Sequence, residues 1–244
     1  MKEITVIDND FVYGGFTSGS SGIWTRNEPF DPPSADYVSL GARLGISLSR
    51  VVRPYQASGD KVEIVSSEHG GSGVIKDNEL KQVDGLVTVE KGFALSVIAA
   101  DCVPVYLADK SAEVIGILHC GWRSAAGELF DNAVRKMCVM GASPAKIEVI
   151  IGPHICADCY EVGDNVRSEY AEKFTEKEIG NMFFNRHERL YLNLSCAVSA
   201  KILKAGISSE NISEVRACTC CDRKFYSYRR GDRGLQNLAY IIMK

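Results

Sequence analysis

The sequence lacks several features that define large classes of protein. None of its hydrophobic runs approaches the roughly 18–20 residues of a membrane span, and its first residues do not have the layout of a secretion signal. An excess of basic residues is also missing, because 28 Lys and Arg stand against 31 Asp and Glu. The formal net charge of −3 offers no basic field for nucleic acid. We therefore expect a cytoplasmic enzyme with neither membrane nor nucleic-acid partners.

Histidine is scarce in this chain, whereas cysteine is not: there are 4 His and 9 Cys. In the absence of a secretion signal, the cysteines are expected to be reduced thiols, metal ligands or catalytic groups rather than a disulfide framework. Cys156 and Cys159, with Cys218, Cys220 and Cys221, supply enough thiols for a structural zinc site. Their intervals differ from those of common zinc modules, so reduced thiols are the favoured interpretation.

The bulk composition is that of an ordinary globular protein, with 45% hydrophobic and 24% charged residues. A length of 244 residues permits one large domain or two small ones, and we favour a single domain over residues 1–244. Predicted strands outnumber helices and follow no regular order. This pattern favours a mixed-sheet α/β or α+β fold over a regular βαβ array.

Apolar alternation and short apolar runs predict strands, and apolar residues at helical spacing predict helices. Strands are predicted at 2–7, 51–52, 61–65, 94–99, 114–118, 146–151, 190–194, 225–230 and 238–243. Helices are predicted at 34–44, with Ser34 as the N-cap, and at 126–137, 163–174 and 195–204. The Gly/Ser/Pro-rich stretch from Val12 to Pro33 predicts a loop.

Two reactive side chains stand at the ends of predicted strands. Cys102 follows the apolar run Ala94–Ala99, and His119 ends the run Val114–Leu118. A thiolate and an imidazole presented together can share zinc or copper, or they can act as nucleophile and base. Both chemistries are open from the residues alone.

Further candidates lie beside these two residues. Asp101 could orient His119 or act on a substrate proton, although strand alternation points it away. Arg123 is suited to bind an anion such as phosphate or to cap a carboxylate. Arg229 and Arg230 follow an aromatic stretch, where one of them could serve as a phosphate ligand.

The chain resembles the YfiH/YlmD family of laccase-domain proteins in several motifs that occur in family order. These are 83–88 (Val-Asp-Gly-Leu-Val-Thr), 100–105 (Ala-Asp-Cys-Val-Pro-Val), 119–123 (His-Cys-Gly-Trp-Arg), 151–155 (Ile-Gly-Pro-His-Ile), 159–163 (Cys-Tyr-Glu-Val-Gly), 218–219 (Cys-Thr) and 226–230 (Tyr-Ser-Tyr-Arg-Arg). The resemblance implies a layered, mixed-sheet α/β domain that is also similar to the catalytic domain of cytotoxic necrotizing factors.

The resemblance also implies an activity and a cofactor. The family's activities are phosphorolysis of adenosine, inosine and methylthioadenosine, and deamination of adenosine, so a purine nucleoside and phosphate are the expected partners. Family members hold zinc, or copper in the older assignment as polyphenol oxidases, through one Cys and two His. Cys102 and His119 match two of these three ligands.

The third ligand position departs from the family pattern. Where the family has Gln-Val-His-Gly, this chain has Gln56-Ala-Ser58-Gly, and a serine hydroxyl is a poor zinc ligand. His69 and His154 are weak candidates to replace the missing histidine. The family's Thr-Arg-x-Gly-Gly motif is also missing its arginine at residues 17–22, and Arg26 is a poor candidate to replace it.

Three alternatives to a zinc-dependent nucleoside enzyme follow from these departures. The first is a metal-independent hydrolase or transferase that uses Cys102 and His119. The second is a purine-binding protein that has lost catalysis. Copper-dependent phenol oxidation ranks last, because 4 histidines cannot build the several copper sites that an oxidase needs.

Overall fold

The computed structural model describes residues 2–19 and 35–244. The strands are β1 (Glu3–Asp8), β2 (Val12–Thr17), β3 (Val51–Val52), β4 (Val62–Ile64), β5 (Gly85–Thr88), β6 (Ala94–Ala99), β7 (Val103–Asp109), β8 (Val114–Cys120), β9 (Glu148–Ile151), β10 (Phe183–Arg186), β11 (Arg189–Leu192), β12 (Ile212–Glu214) and β13 (Asn237–Met243). The α-helices are α1 (Ala35–Leu44), α2 (Trp122–Ala126), α3 (Leu129–Val139), α4 (Asp164–Ala171), α5 (Glu176–Met182) and α6 (Leu194–Lys204). Arg26 and the predicted N-cap Ser34 lie outside the described residues. Within the described ranges, no helix combines the length and the apolar character that crossing a membrane requires.

The strands form two large mixed sheets and one hairpin. The first sheet has 5 strands in the order β1-β2-β13-β6-β3, and the second has 6 strands in the order β12-β9-β7-β8-β5-β4. β3 with β6, β4 with β5 and β9 with β12 pair in parallel, and the other pairings are antiparallel. β10 and β11 form the separate hairpin. The predicted mixed-sheet α/β fold is confirmed.

The two sheets pack face to face, with helices on both outer sides. Phe16 and Ile241 of the first sheet share one apolar cluster with Tyr106 and Ile117 of the second. A second cluster joins the other face of the second sheet to α3 and α6, and a third joins the other face of the first sheet to α1. β7 and β8 are therefore buried on both faces, which explains why they appear in the sequence as continuous apolar runs.

Two sequence predictions about local structure were wrong. The stretch from Val12 was predicted to be a loop, but its first 6 residues form β2, which pairs with β1 and β13. Its glycines are needed for close packing, since a Cβ at Gly15 would lie 2.8 Å from the Tyr240 hydroxyl.

The predicted strand at 225–230 is instead a series of turns. Two of its backbone amides donate to carboxylates rather than to a neighbouring strand. Ser227 N–H donates to Asp232 at 2.9 Å, and Arg229 N–H donates to Asp101 at 2.7 Å. Side-chain acceptors, one of them 128 residues away in the chain, thus replaced the hydrogen bonds of a sheet.

Candidate active site

The candidate site forms where the chain crosses from one sheet to the other. β6 belongs to the first sheet and β7 to the second, and residues 100–102 connect them. β7 pairs with β8 in a register that sets Pro104 opposite His119. Because Cys102 immediately precedes β7 and His119 lies near the end of β8, the two side chains meet at one end of the second sheet.

Strand alternation separates His119 from its neighbour Cys120. His119 lies on the same face of β8 as Ile115 and Ile117, which pack between the sheets. Cys120 faces the helical layer and is fully buried. Gly121 begins the turn into α2, and a Cβ at this position would lie 3.3 Å from the Cys102 sulfur. Glycine therefore permits the close approach of the helix start to the thiol.

His119 is held between a carboxylate and a thiol. Its Nδ1 lies 2.8 Å from Asp84 Oδ1, and the Cys102 sulfur lies close enough to act on the charge of its ring. The imidazole is buried, which lowers its pKa, but the neighbouring Cys102 sulfur and the Asp84 carboxylate reverse this effect and raise the pKa to about 9. In this arrangement His119 carries a proton at neutral pH.

Asp84 also fixes the loop that contains Ser58. Its two carboxylate oxygens accept the backbone amides of Ala57, Ser58 and Gly59 at 3.0, 3.0 and 2.8 Å. Burial raises the pKa of Asp84, but His119 and these amides lower it below its usual range. Ser58 has a left-handed backbone with φ of 59°, a conformation that is uncommon for a non-glycine residue.

The side chains of Ser58, Cys102 and His119 line one cavity of about 900 Å³. Its walls include Trp122, Tyr160 and Tyr228, together with the guanidinium groups of Arg123 and Arg229. The Arg123 guanidinium lies 4.2 Å from the centre of the Trp122 ring, and that of Arg229 lies 5.3 Å from the centre of the Tyr160 ring. The cavity thus combines flat aromatic surfaces, two cations and a reactive thiol–imidazole pair.

Asp101 lines the same cavity, but its carboxylate is engaged elsewhere. Oδ1 accepts the Thr219 hydroxyl at 2.7 Å, and Oδ2 accepts the Ser227 hydroxyl at 3.1 Å and the Arg229 amide at 2.7 Å. The carboxylate bonded to His119 is that of Asp84. Asp101 instead ties two turns of the cavity wall to the β6–β7 connection.

Three residues considered in the sequence analysis are absent from the cavity lining. Arg230 donates to the carbonyls of Thr219 and Cys220, both at 3.0 Å, so its guanidinium serves the turn and not the cavity. His154 donates from Nδ1 to the Gly152 carbonyl at 2.8 Å, and burial lowers its pKa. His69 lies beyond β4, in a short 3-10 turn where Nδ1 accepts the amide of Ser66. None of the three is placed to contribute to the Cys102–His119 pair.

The donor set at the cavity does not fit a catalytic zinc ion of the usual kind. Such sites use three protein ligands and leave one position for water, whereas this cavity offers one thiol, one imidazole and the hydroxyl of Ser58. Within the described ranges, the pair belongs to no group of three or more metal-ligating side chains. A copper ion would lack strong ligands here for the same reason. The single group of that kind among the described residues is formed by Cys156, Cys159, Cys218 and Cys221.

Asp84 and Tyr160 are site residues that were not predicted from the sequence. Asp84 is fully buried although it carries a charge, and an acidic residue directly before the apolar segment Gly85–Thr88 is the signal that could have identified it. Tyr160 is brought to the cavity by the turn that follows Cys159, which no local pattern predicts.

Comparisons with known proteins agree with this architecture. A family model described as multi-copper polyphenol oxidoreductase laccase matches residues 34–244. Adenosine deaminase RL5 from an unknown prokaryotic organism is 32% identical over 199 residues, which is 79% of this chain and 74% of that protein. A purine nucleoside phosphorylase from Deinococcus radiodurans is 34% identical over 205 residues, 84% of this chain and 74% of that protein. The crystal structure of YlmD from Geobacillus stearothermophilus superposes with a TM-score of 0.86 at 26% identity, covering 99% of this chain and 100% of that one.

Proposed function

Because the chain belongs to the multi-copper polyphenol oxidoreductase laccase family, whose relatives include proteins named as purine nucleoside phosphorylase and adenosine deaminase, we propose that it processes purine nucleosides at this cavity. Phosphorolysis is the first proposed reaction, and deamination of adenosine is the second. The observation that carries the proposal is the convergence of Cys102, His119 and two cavity arginines in a chain of this family.

The cavity is suited to a purine nucleoside and an anion. Its volume of about 900 Å³ lies within the range of small-molecule sites. Trp122, Tyr160 and Tyr228 offer flat apolar surfaces for a purine base. Arg123 and Arg229 are the proposed phosphate ligands, since guanidinium groups bind phosphate through paired hydrogen bonds. The Arg229 guanidinium also donates to the carbonyls of Cys159 and Glu161 at 3.4 and 2.7 Å.

Phosphorolysis requires a proton for the departing base. A phosphate oxygen forms a bond to C1′ of the ribose while the C1′–N9 bond breaks, and the electron pair moves into the purine. His119 is the proposed proton donor to that purine, since it is charged at neutral pH and Asp84 holds its ring in place. The imidazole then recovers a proton from solvent.

Deamination of adenosine would use the same groups differently. Water adds to C6 of the purine, and ammonia leaves. His119 and Cys102 are the proposed groups that move protons between the water and the departing amine. Ser58 lies close enough to Cys102 to contribute a hydroxyl at the same end of the cavity, since both side chains lie within 4 Å of a Cβ built at Gly121.

Zinc dependence is the finer part of the proposal. The family resemblance implies zinc, but this chain supplies only Cys102 and His119 as strong ligands. We infer that zinc, or copper in its place, binds this pair weakly, because the metal must displace the proton of His119 and because Ser58 replaces the third strong ligand.

The test is analysis of the products of adenosine incubated with the purified protein, with and without phosphate and with and without added zinc. Adenine formed only with phosphate would establish phosphorolysis, and inosine would establish deamination. His119→Ala should reduce either rate by about 10²-fold or more, whereas His69→Ala, outside the cavity, should not. A wild-type rate in His119→Ala would refute the assigned residue, and the absence of any product would refute the function.

A metal-independent Cys–His hydrolase is the second candidate. The observation that favours it is the arrangement of Asp84, which is hydrogen-bonded to His119, with Cys102 as a second neighbour of the imidazole; this resembles the acid–base–nucleophile order of covalent hydrolases. It predicts that Cys102 in metal-free protein reacts with iodoacetamide faster than the exposed Cys138. A slower reaction at Cys102 than at Cys138 would remove this candidate.

A further inference from the structure

Four thiols from two distant segments meet beside the cavity. Cys156 and Cys159 flank a short 3-10 turn, and Cys218 and Cys221 lie in a turn after β12. Cys159 and Cys221 are 62 residues apart in the chain, yet their sulfur atoms are 3.3 Å apart. The four sulfur atoms all lie within 4.8 Å of one another.

The backbone brings these two segments together. His154 and Cys218 form an isolated parallel bridge, in which His154 N–H donates to the Ala217 carbonyl at 3.1 Å and Thr219 N–H donates to the His154 carbonyl at 3.0 Å. Each segment then turns so that two cysteines, separated by two residues, face the other pair. The convergence therefore depends on main-chain pairing and not only on side-chain orientation.

The cluster also contains donors that stabilise sulfur as a thiolate. The backbone amides of Cys156 and Cys221 donate to Cys218 Sγ at 3.2 and 3.3 Å. Hydrogen bonds of this kind are strongest when the acceptor carries a negative charge. Four thiolates at such short separations would repel one another, and a cation among them would offset that repulsion.

The dimensions correspond to a tetrahedral metal site. Zinc–thiolate bonds of about 2.3 Å place the four sulfurs of a tetrahedron about 3.8 Å apart, and Cys156 Sγ lies 3.8 Å from Cys221 Sγ. Disulfides fit less well, because their sulfurs are about 2.05 Å apart and all four cysteines are unpaired. Four sulfur ligands also leave no open position for a substrate.

We propose that Cys156, Cys159, Cys218 and Cys221 bind one zinc ion in a closed structural site, separate from the Cys102–His119 pair. The ion joins the two segments that form one wall of the cavity. One segment carries Ile155, whose amide donates to the Asp101 carbonyl at 3.1 Å, and the other carries Thr219, which donates to the Asp101 carboxylate. Zinc at this position holds both segments against the β6–β7 connection and stabilises the cavity wall without contacting a substrate.

Metal analysis of two variants separates this site from the cavity. Cys102→Ala combined with His119→Ala removes the cavity ligands and should retain about one zinc per chain after preparation with zinc. Cys159→Ser combined with Cys221→Ser should lose that zinc and unfold at a lower Tm. Cys138→Ser, a change at an exposed cysteine outside the cluster, is the matched control and should retain it. A cavity variant without zinc, or a Cys159/Cys221 variant with undiminished zinc, would overturn the proposal.

A second measurement needs no cluster substitution and remains decisive if the Cys159/Cys221 variant does not fold. X-ray absorption on the cavity variant should give four sulfur neighbours at about 2.3 Å from zinc. Iodoacetamide should label the four cluster cysteines only after a chelator is added, while Cys138 is labelled in both conditions. Nitrogen or oxygen ligands, iron in place of zinc, or equal labelling before and after chelation would contradict the site.

Discussion

Asp84 links the backbone of the Ser58 loop to the imidazole of His119. Its carboxylate accepts three backbone amides and hydrogen-bonds the imidazole ring. A single buried charge therefore positions both the Ser58 loop and the His119 side chain. The effect on His119 is electrostatic as well as geometric, because the carboxylate stabilises the charged imidazole.

Replacing Asp84 by Asn should therefore lower the stability of the fold and also the reactivity of His119. The amide group would turn an NH2 toward backbone donors or toward His119, and we expect the free energy of unfolding to fall by about 1.5–3 kcal/mol. The measurement is urea unfolding, with Asp77→Asn, an exposed carboxylate, as the control. A variant as stable as the control would show that Asp84 does not hold the loop.

Ser58 occupies the position at which the family resemblance expects a histidine. Ser58→His would add an imidazole beside Cys102 and His119 and complete a three-ligand set. We expect zinc affinity in the cavity to rise by at least about 10²-fold, measured by competition with a chromophoric chelator in the Cys159→Ser/Cys221→Ser background. Equal affinity in the presence and absence of the Ser58 change would show that the serine does not limit metal binding.

At the scale of elements, the start of α2 is set by a close contact. Gly121 lies between β8 and α2, and a Cβ there would lie 3.3 Å from the Cys102 sulfur and 3.9 Å from the Ser58 hydroxyl oxygen. A methyl group at this distance forces the thiol or the helix start to move by a few tenths of an ångström.

Gly121→Ala should thus lower both activity and stability. We expect nucleoside turnover to fall about 10-fold or more, because small displacements at reacting groups reduce rates strongly, while the free energy of unfolding changes by about 1–3 kcal/mol. Gly180→Ala in α5 is the matched control, since nothing lies within 4 Å of its added Cβ. Unchanged turnover in Gly121→Ala would show that the site tolerates the shift.

At the scale of the whole molecule, buried carboxylates make stability depend on pH. Asp109 ends β7 and is buried, and it accepts amides from Ser111, Ala112 and Ser143. Burial raises its pKa, but the Ser143 amide and the other donors lower it below the ordinary value of 3.8. Its ionised form therefore favours the folded state at pH values above 3.8, and this contribution is lost as the pH falls through the lowered pKa.

Asp109→Asn should accordingly destabilise the protein most at neutral pH. We expect a loss of about 1.5–3 kcal/mol in the free energy of unfolding at pH 7, and the difference from wild type should narrow as the pH falls below 3.8. Urea unfolding at a series of pH values measures both quantities. A difference that widens toward acid pH would contradict the role of the ionised carboxylate.

Much of the architecture was predictable because the sequence pattern reports burial. β6, β8 and β13 are runs of apolar residues, and α1, α3 and α6 have apolar residues at helical spacing, so their existence follows from local periodicity. β2 was not predicted, because its two glycines suggest a turn until Tyr240 is placed against them. The turns at 225–230 were missed because their amides donate to side chains instead of to a neighbouring strand, and one of these acceptors, Asp101, is 128 residues away in the chain.

The sequence by itself determined the family, the mixed α/β class, and the position of Cys102 and His119 after two apolar runs, although it did not predict β7, the strand that pairs with β8 beside Cys102. These properties depend on local composition and on the order of motifs. Only the tertiary structure decided that Asp84 orients His119, that Arg229 reaches the cavity while Arg230 does not, and that four cysteines meet in one cluster. Each of these results depends on pairings between residues far apart in the chain, and local patterns carry no information about which distant segments pack together.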